Sequence, residues 1–127
     1  MNEVVIIGGG IIGLSMAFEL QSRGLKTCIV DPKGPATEAS WAAAGMLAPQ
    51  IETTKNDASW VLGRSSRTLY SSWIDRLRSH SDHDPRYQKC GALLYCQNPE
   101  EAEALWDQFK WQKEAGQNLE RLEQNEL

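Results

Sequence analysis

A glycine-rich turn near the start of the chain constrains the fold more than any other feature. Gly8, Gly10 and Gly13 have the spacing G-x-G-x-x-G, and they directly follow the apolar run Val4–Ile7. A lone match of this kind is a weak signal, because glycine is common. Here a helical segment comes next, and a second apolar run, Thr27–Val30, follows it. This order predicts a β-strand, a tight turn, a helix and a second, parallel strand.

The predicted unit spans residues 3–7 for the first strand, 10–22 for the helix and 26–31 for the second strand. Gly24 is suited to end the helix, because glycine tolerates the left-handed conformation found there. Both strands are apolar at consecutive positions, which is typical of parallel strands covered on both faces. We therefore expect Cys28, in the second strand, to be buried.

Each residue of the turn has a physical reason to bind a dinucleotide. Gly8 allows a positive φ, Gly10 lets the backbone approach a pyrophosphate, and Gly13 lets the helix pack closely on the sheet. The free N–H groups and dipole of the helix N-terminus suit phosphates. Asp31, at the tip of the second strand, can accept hydrogen bonds from ribose hydroxyls and disfavours the extra phosphate of NADP. A turn without a ligand would leave that acid unexplained.

Composition excludes several classes of function. The chain has 127 residues, which suits one domain, with a formal net charge of −4 and a pI of about 5.2. A nucleic-acid partner is not expected, because that requires a basic surface. The apolar start carries Glu3, lacks a basic region and is broken by glycines, so it does not resemble a signal peptide. No stretch approaches the roughly 18 apolar residues of a membrane span.

Cysteine and histidine usage indicates neither a disulfide nor a metal site. Cys90 and Cys96 flank a predicted strand, which would hold them roughly 20 Å apart, too far for a disulfide. The three cysteines thus favour a reduced, cytoplasmic protein. The loop at 80–85 holds both histidines and two aspartates. Such loops are usually only solvated, and we predict no metal.

The segment after Asp31 departs from a plain nicotinamide domain. Pro32, Gly34 and Pro35 block an immediate second helix. Residues 36–49, ATEASWAAAGMLAP, are mostly small, and small side chains let the backbone approach a large flat ligand. Gly45 could supply an unusual φ there. An alanine-rich helical turn is the alternative interpretation.

Residues 57–79 predict a long helix, whose arginines lie outside its expected packing face. Its expected packing face is the stripe Leu62, Leu69, Trp73 and Leu77.

Residues 91–96, GALLYC, predict a strand, and Asn98 then begins a helix as its N-cap. Pro99 occupies the first helical position, and Glu101 completes a capping box. Gly116 ends this helix, whose expected face is Ala102, Leu105, Trp106 and Phe109.

The architecture expected from these elements is incomplete. A short strand at 119–122 and a helix from 124 are the last predicted elements. A nucleotide-binding sheet normally needs more than two strands, and two alone leave both edges open. We therefore expect the chain to be the N-terminal part of a longer protein.

The segments GGGIIGLSMAFEL and ASWAAAGMLAP, with Asp31 between them, resemble the FAD-dependent D-amino acid oxidase family. Within it they are most similar to the glycine oxidase branch, which is linked to thiamine biosynthesis. The family holds the FAD pyrophosphate on the glycine turn and helix, the adenosine ribose on the acid, and the flavin along the small-residue segment. The cofactor-binding residues that the resemblance implies are Gly8, Gly10, Ile11, Ile12, Gly13, Asp31, Pro32, Ala39, Ser40, Ala44, Gly45, Met46 and Leu47.

The resemblance implies an α/β fold with two parts. Residues 1–85 would be the N-terminal βαβ part of a Rossmann-like FAD-binding domain, and residues 86–127 the beginning of an α+β substrate domain. The implied reaction oxidises a small amine or amino acid to an imine and reduces oxygen to hydrogen peroxide. The family's carboxylate-binding arginine lies far downstream, so no catalytic residue is assigned, and this chain alone is expected to be inactive. The full-length protein could form a homo-oligomer.

Three alternatives remain open. Another FAD enzyme of the family is one, either a D-amino acid dehydrogenase that feeds a quinone or the oxidase part of a tRNA-modifying enzyme. A nicotinamide dehydrogenase is weakened by Pro32, Pro35 and the AAAGM segment. A truncated, non-catalytic nucleotide-binding fragment is the third.

Overall fold

The computed structural model describes residues 1–122. The chain forms two compact units, Met1–Met46 and Leu47–Leu127. These units reflect packing within the chain. The expected functional division near residue 85, into a cofactor domain and a substrate domain, stays a prediction.

The first unit is built on the predicted βαβ arrangement. Strand β1 is Val4–Ile7, helix α1 is Ile11–Ser22 and strand β2 is Thr27–Val30. The strands pair in parallel, with Val4 opposite Thr27 and Ile7 opposite Val30. The fold class is therefore α/β, and the predicted boundaries are correct to within one residue.

The two faces of this sheet differ in burial. Ile6 is buried on the side that α1 covers. On the opposite side Val5, Ile7 and Val30 are 59%, 90% and 53% exposed. Within Met1–Met46, α1 covers one face of the sheet, and the cover expected on the other face stays a prediction. Cys28 is accordingly half-buried, not buried.

Helix α1 ends at a glycine, as the sequence predicts. Gly24 adopts a φ of +85°, and its N–H donates to the carbonyl of Gln21. The N–H of Leu25 donates to the carbonyl of Leu20. These two bonds satisfy carbonyls at the end of the helix that would otherwise lack a donor.

Two single-turn helices lie in and after the small-residue segment. Helix α2 is Ala39–Ala42 and helix α3 is Pro49–Glu52. The alanine-rich helical turn is thus real, but it is short and leaves Gly45 outside, with a φ of +75°. The sequence analysis did not predict α3.

The second unit contains two longer helices with side-chain caps. Helix α4 is Ala58–Arg78, and the Asp57 carboxylate accepts from the N–H groups of its first turn. Helix α5 is Pro99–Glu114, and Asn98 accepts from the N–H of Glu101 at 2.8 Å, as predicted. The Glu101 carboxylate accepts from the N–H of Gln97, one residue before the expected position.

The stripe predicted on α4 is confirmed only in its C-terminal half, where Trp73 and Leu77 are half-buried. Trp60 and Ile74 are buried, whereas Leu62 and Leu69 are 69% and 64% exposed. A Cβ added to Gly63 would lie 3.0 Å from the Cβ of Pro49. Helix α3 therefore packs against α4 at this glycine, and Leu62 and Leu69 point elsewhere.

Glutamines, more than leucines, mark the buried side of α5. Gln112 is 1% exposed and donates to the main-chain carbonyl of Gln50 at 2.8 Å. Gln108 donates to the same carbonyl at 2.7 Å. Trp106, expected in the apolar face, is 41% exposed. Ala102, Leu105 and Phe109 of the predicted face are half-buried on this same side. Apolar periodicity therefore found the side except at Trp106, and it missed the glutamines, whose polar groups are buried through hydrogen bonds to a distant segment.

The two remaining predicted strands are wrong. Residues 91–96 and 119–122 have no regular secondary structure. Leu93, Leu94 and Tyr95 are exposed. A strand needs a hydrogen-bonded neighbour, and none of residues 1–122 pairs with these segments. The helix expected from 124 lies outside the described residues.

Candidate dinucleotide-binding site

The glycine turn leaves the sheet at the carboxyl end of β1. Gly8 has a φ of +102°, a conformation that strongly favours glycine. Its N–H donates to the carbonyl of Val30 at 2.9 Å. The turn is therefore anchored beside the tip of β2, where Asp31 follows.

Gly13 is fixed by close contact between helix and turn. A Cβ at this position would lie 2.0 Å from the carbonyl oxygen of Gly8 and 3.3 Å from the Cγ2 of Ile6. No side chain fits without moving backbone. This is the tight helix packing that the sequence analysis expects of Gly13.

The N-terminus of α1 offers free hydrogen-bond donors. The backbone N–H groups of Gly10, Ile12 and Gly13 donate no hydrogen bond to any acceptor within residues 1–122. The N–H of Ile11 donates to the Oγ of Ser40 at 2.8 Å. Since helix N-termini attract anions, this end of α1 can bind a phosphate pair.

The Asp31 carboxylate is bonded to backbone on both oxygens. Its Oδ2 accepts from the N–H of Gly9 and its Oδ1 from the N–H of Lys33, each at 2.8 Å. These two bonds, Gly9 first, hold the pKa of Asp31 below its ordinary value of 3.8. The group is thus charged at neutral pH, and each oxygen keeps a lone pair for a ribose hydroxyl.

A cleft of about 210 Å³ joins these features. It brings together five of the predicted residues, namely Gly8, Gly10, Asp31, Ala39 and Ser40. The other predicted residues do not line it, and these are Ile11, Ile12, Gly13, Pro32, Ala44, Gly45, Met46 and Leu47.

Four residues of the cleft were missed by the sequence analysis, namely Gly34, Ala36, Thr37 and Glu38. Gly34 has a φ of +90°, and its place between two prolines is a signal for a turn. Ala36 has a φ of +56°, which its residue type gives no reason to expect. Glu38 forms an ion pair with Lys33 at 2.5 Å at the exposed rim.

Other kinds of site find no support in the part of the chain that the structure describes. No cluster of three or more His, Cys, Asp or Glu side chains there could hold a metal ion. No helix in residues 1–122 combines the length and apolarity that crossing a membrane requires.

Residues of the turn and cleft fit the adenosine-diphosphate part of FAD. The free N–H groups at the start of α1 can donate to phosphates, and Gly13 has no side chain that would push α1 away from the turn. The charged Asp31 carboxylate lies in the same cleft as the turn. This is the arrangement that dinucleotide-binding βαβ units share.

Comparison with known proteins agrees with this chemistry. Residues 3–127 match the family described as FAD dependent oxidoreductase (DAO). The chain is 42% identical to the bifunctional protein ThiO/ThiG of Trichormus variabilis over 92 residues, which are 72% of this chain and 14% of that protein. It is 30% identical to the glycine oxidase of Geobacillus kaustophilus over 98% of this chain and 33% of that protein.

Solved structures give the same result. The crystal structure of glycine oxidase from Geobacillus kaustophilus matches with a TM-score of 0.93, over 98% of this chain and 34% of that one. Glycine oxidase from Bacillus cereus matches with a TM-score of 0.84 at 35% identity, over 93% of this chain and 31% of that one. The chain thus spans about a third or less of the length of these relatives. Because the family match covers nearly all of its residues, the chain belongs to the DAO family of FAD-dependent oxidoreductases.

Proposed function

We propose that this chain forms part of the FAD site of an enzyme that oxidises a small amine or amino acid, as glycine oxidases do. The observation that carries the proposal is the cleft that joins the glycine turn to Asp31. Family membership and the similarity to proteins named glycine oxidase support the same reading. Similarity to a protein named ThiO/ThiG favours a role linked to thiamine biosynthesis.

Residues of this chain would bind and orient the cofactor. The N–H groups of Gly10, Ile12 and Gly13 would donate to the pyrophosphate, and Asp31 would accept from the adenosine ribose. Ser40 would add a hydroxyl beside the phosphates. The remaining contacts would come from Gly8, Ile11, Pro32, Ala39, Ala44, Gly45, Met46 and Leu47. Bound FAD supplies the acceptor for the hydride of the amine, which the protein itself lacks.

In this proposal, a longer polypeptide that includes these residues carries out the complete reaction. No residue of the chain is assigned a catalytic role, and the glycine oxidase of Geobacillus kaustophilus is about three times longer. We expect the chain alone to lack oxidase activity. Reduction of oxygen to hydrogen peroxide and a cytoplasmic location are parts of the proposal.

A chimera tests the proposal. Residues 1–127 of this chain would replace the matching part of the Geobacillus kaustophilus glycine oxidase, since the two backbones agree at a TM-score of 0.93. We expect a yellow protein that consumes oxygen and releases peroxide with glycine or sarcosine. A folded chimera without flavin would contradict the proposed FAD site. Because about two thirds of the chimera come from the relative, its oxidase activity reports only whether residues of this chain hold the flavin in a working position.

The matched control is the same chimera with Gly10→Val. A branched side chain at this position would stand where the pyrophosphate must approach, and it would meet the Oγ of Ser40, 3.1 Å from a Cβ at residue 10. We expect this variant to fold and to purify without flavin. Tightly held, near-stoichiometric FAD in it would show that the turn is not the phosphate site.

A further inference from the structure

We infer that Gly9 is a positioning residue that fastens the loop of residues 31–40, here named the acid loop, to the phosphate-binding turn. Gly9 lies between the first two glycines of the motif, at a position where the motif accepts any residue. The inference deepens the proposed function and rests on it, because the turn that Gly9 would hold in place is the proposed FAD site.

Both polar groups of the Gly9 backbone bond to the acid loop. The N–H of Gly9 donates to the Oδ2 of Asp31 at 2.8 Å. The carbonyl of Gly9 accepts from the N–H of Ala36, also at 2.8 Å. Gly9 is itself buried and its bond to Asp31 is partly buried, which reduces competition from water. A single residue thus holds the acid loop at its start and near its middle.

Space, and not backbone conformation, requires glycine at this position. Gly9 does not adopt a positive φ, so its conformation is open to other residues. A Cβ there would lie 3.3 Å from the Cβ of Asp31 and 3.3 Å from the Cα of Pro35. Both distances are shorter than ordinary van der Waals contact. Even alanine would push the acid loop away from the turn.

The conformation of Ala36 is the independent sign that the acid loop is held. Its φ of +56° is one that an L side chain rarely adopts. Such a conformation persists only where surrounding contacts enforce it. The hydrogen bond from Ala36 to Gly9 is a contact of this kind, and it is the backbone bond that joins the middle of the acid loop to the turn.

The acid loop in turn places a donor at the start of α1. Ser40, at its end, accepts from the N–H of Ile11 at 2.8 Å. A serine hydroxyl that accepts can also donate, so the O–H of Ser40 replaces the N–H of Ile11 as a donor to an anion. If the acid loop moved away, both Asp31 and Ser40 would shift from the cleft. Gly9 therefore acts on the site through these two residues.

The test compares Gly9→Ala with Gly63→Ala in the 127-residue chain. Gly63 is a matched control, because it also lacks a positive φ and a Cβ there would be just as crowded, 3.0 Å from the Cβ of Pro49. Gly63 lies in α4 and does not line the cleft. The measurements are amide hydrogen exchange, by mass spectrometry of peptides covering 8–13 and 32–40, and FAD affinity, by fluorescence titration.

We expect Gly9→Ala to speed exchange in both peptides and to raise the Kd for FAD by roughly tenfold, as expected when about one hydrogen bond of preorganisation is lost. Gly63→Ala should change neither. Unchanged exchange in both peptides of Gly9→Ala would overturn the inference. If the unmodified chain bound no FAD, the proposed FAD site would fail, but the exchange comparison would still decide the role of Gly9.

Substitutions at Ala36 give a second test of the inference, in which no side-chain atom is added to the phosphate-binding turn. Ala36→Pro removes the N–H that the Gly9 carbonyl accepts and forbids the positive φ. Ala36→Gly keeps the N–H, and glycine adopts a positive φ without strain. We expect Ala36→Pro to speed exchange in both peptides as Gly9→Ala does, and Ala36→Gly to leave exchange in the peptide covering 8–13 as it is in the unmodified chain. Equal exchange in the peptide covering 8–13 of these two variants would contradict the role of the Gly9 bond.

Discussion

At the scale of single residues, the site depends on positions where a Cβ or a charge would be misplaced. The sequence motif predicted the positive φ of Gly8 and the crowded contact of Gly13, because both follow from a strand turning directly into a helix. It could not predict the crowding at Gly9 or the φ of Ala36. Those depend on how closely a loop far along the chain approaches the turn.

Gly13→Ala should destabilise the first unit by about 1–3 kcal/mol, the usual cost of overpacking. The reason is that the new Cβ would lie 2.0 Å from the carbonyl oxygen of Gly8, so α1 must move. Urea unfolding followed by circular dichroism measures the change. Met16→Ala, at an exposed position of the same helix, is the control and should stay within about 0.5 kcal/mol of the unmodified chain. An unshifted midpoint for Gly13→Ala would contradict the packing described.

Asp31 should make stability depend on pH in the acid range. Bonds from Gly9 and Lys33 lower its pKa in the folded chain below the ordinary value of 3.8. Its contribution is therefore complete above pH 3.8 and is lost as the pH falls through the lower, folded pKa. The stability difference between the unmodified chain and Asp31→Ala should be constant near neutral pH and shrink below pH 3.8. A difference that grows on acidification would contradict this assignment.

At the scale of helices and strands, the sequence predicted correctly those helix ends that are set by hydrogen bonds between neighbouring residues. The cap at Asn98 and the glycine ends of α1 and α5 follow from sequence, because each is made within a few residues. The strand predicted at 91–96 fails for the opposite reason, and so does the first half of the stripe predicted on α4, at Leu62 and Leu69. A strand needs a hydrogen-bonded neighbouring strand, and an apolar helix face needs another element to pack against. Both partners come from distant parts of the sequence, so the local pattern does not specify them.

The Asn98 cap gives a direct test at this scale. Asn98→Ala removes the acceptor for the N–H of Glu101 and should cost about 1 kcal/mol of helix stability. Asn98→Asp keeps an acceptor at the same place and should cost far less. Thermal melts followed at the helical circular dichroism band compare the two variants. Equal melting temperatures for both would show that the cap does not stabilise α5.

At the scale of the whole molecule, apolar surface remains uncovered. The sequence predicted strands that need cover on two faces, and one face is exposed at Val5, Ile7 and Val30. Relatives that carry this fold are about three times longer. The consecutive apolar positions in each strand are typical of strands covered on both faces, which needs more protein than two strands and one helix supply.

Self-association at this face is the expected consequence for the chain on its own. Ile7 is 90% exposed on the uncovered side, and its replacement by lysine should weaken concentration-dependent association. Gln97→Lys adds the same charge at another exposed position and should leave association unchanged. Sedimentation velocity over a range of concentrations compares the two. If both variants associate like the unmodified chain, this face is not where the copies meet.

Binding of FAD to the purified 127-residue chain tests the central claim most directly, because it asks whether this turn and cleft hold the adenosine-diphosphate part of the cofactor. Flavin fluorescence would follow the titration, with ADP as competitor and Gly10→Val as the matched variant. We expect weak but saturable binding that ADP displaces and that Gly10→Val abolishes, since most of the relatives' length, and with it other contacts, is absent. Binding that ADP does not displace, or that Gly10→Val retains, would contradict the claim.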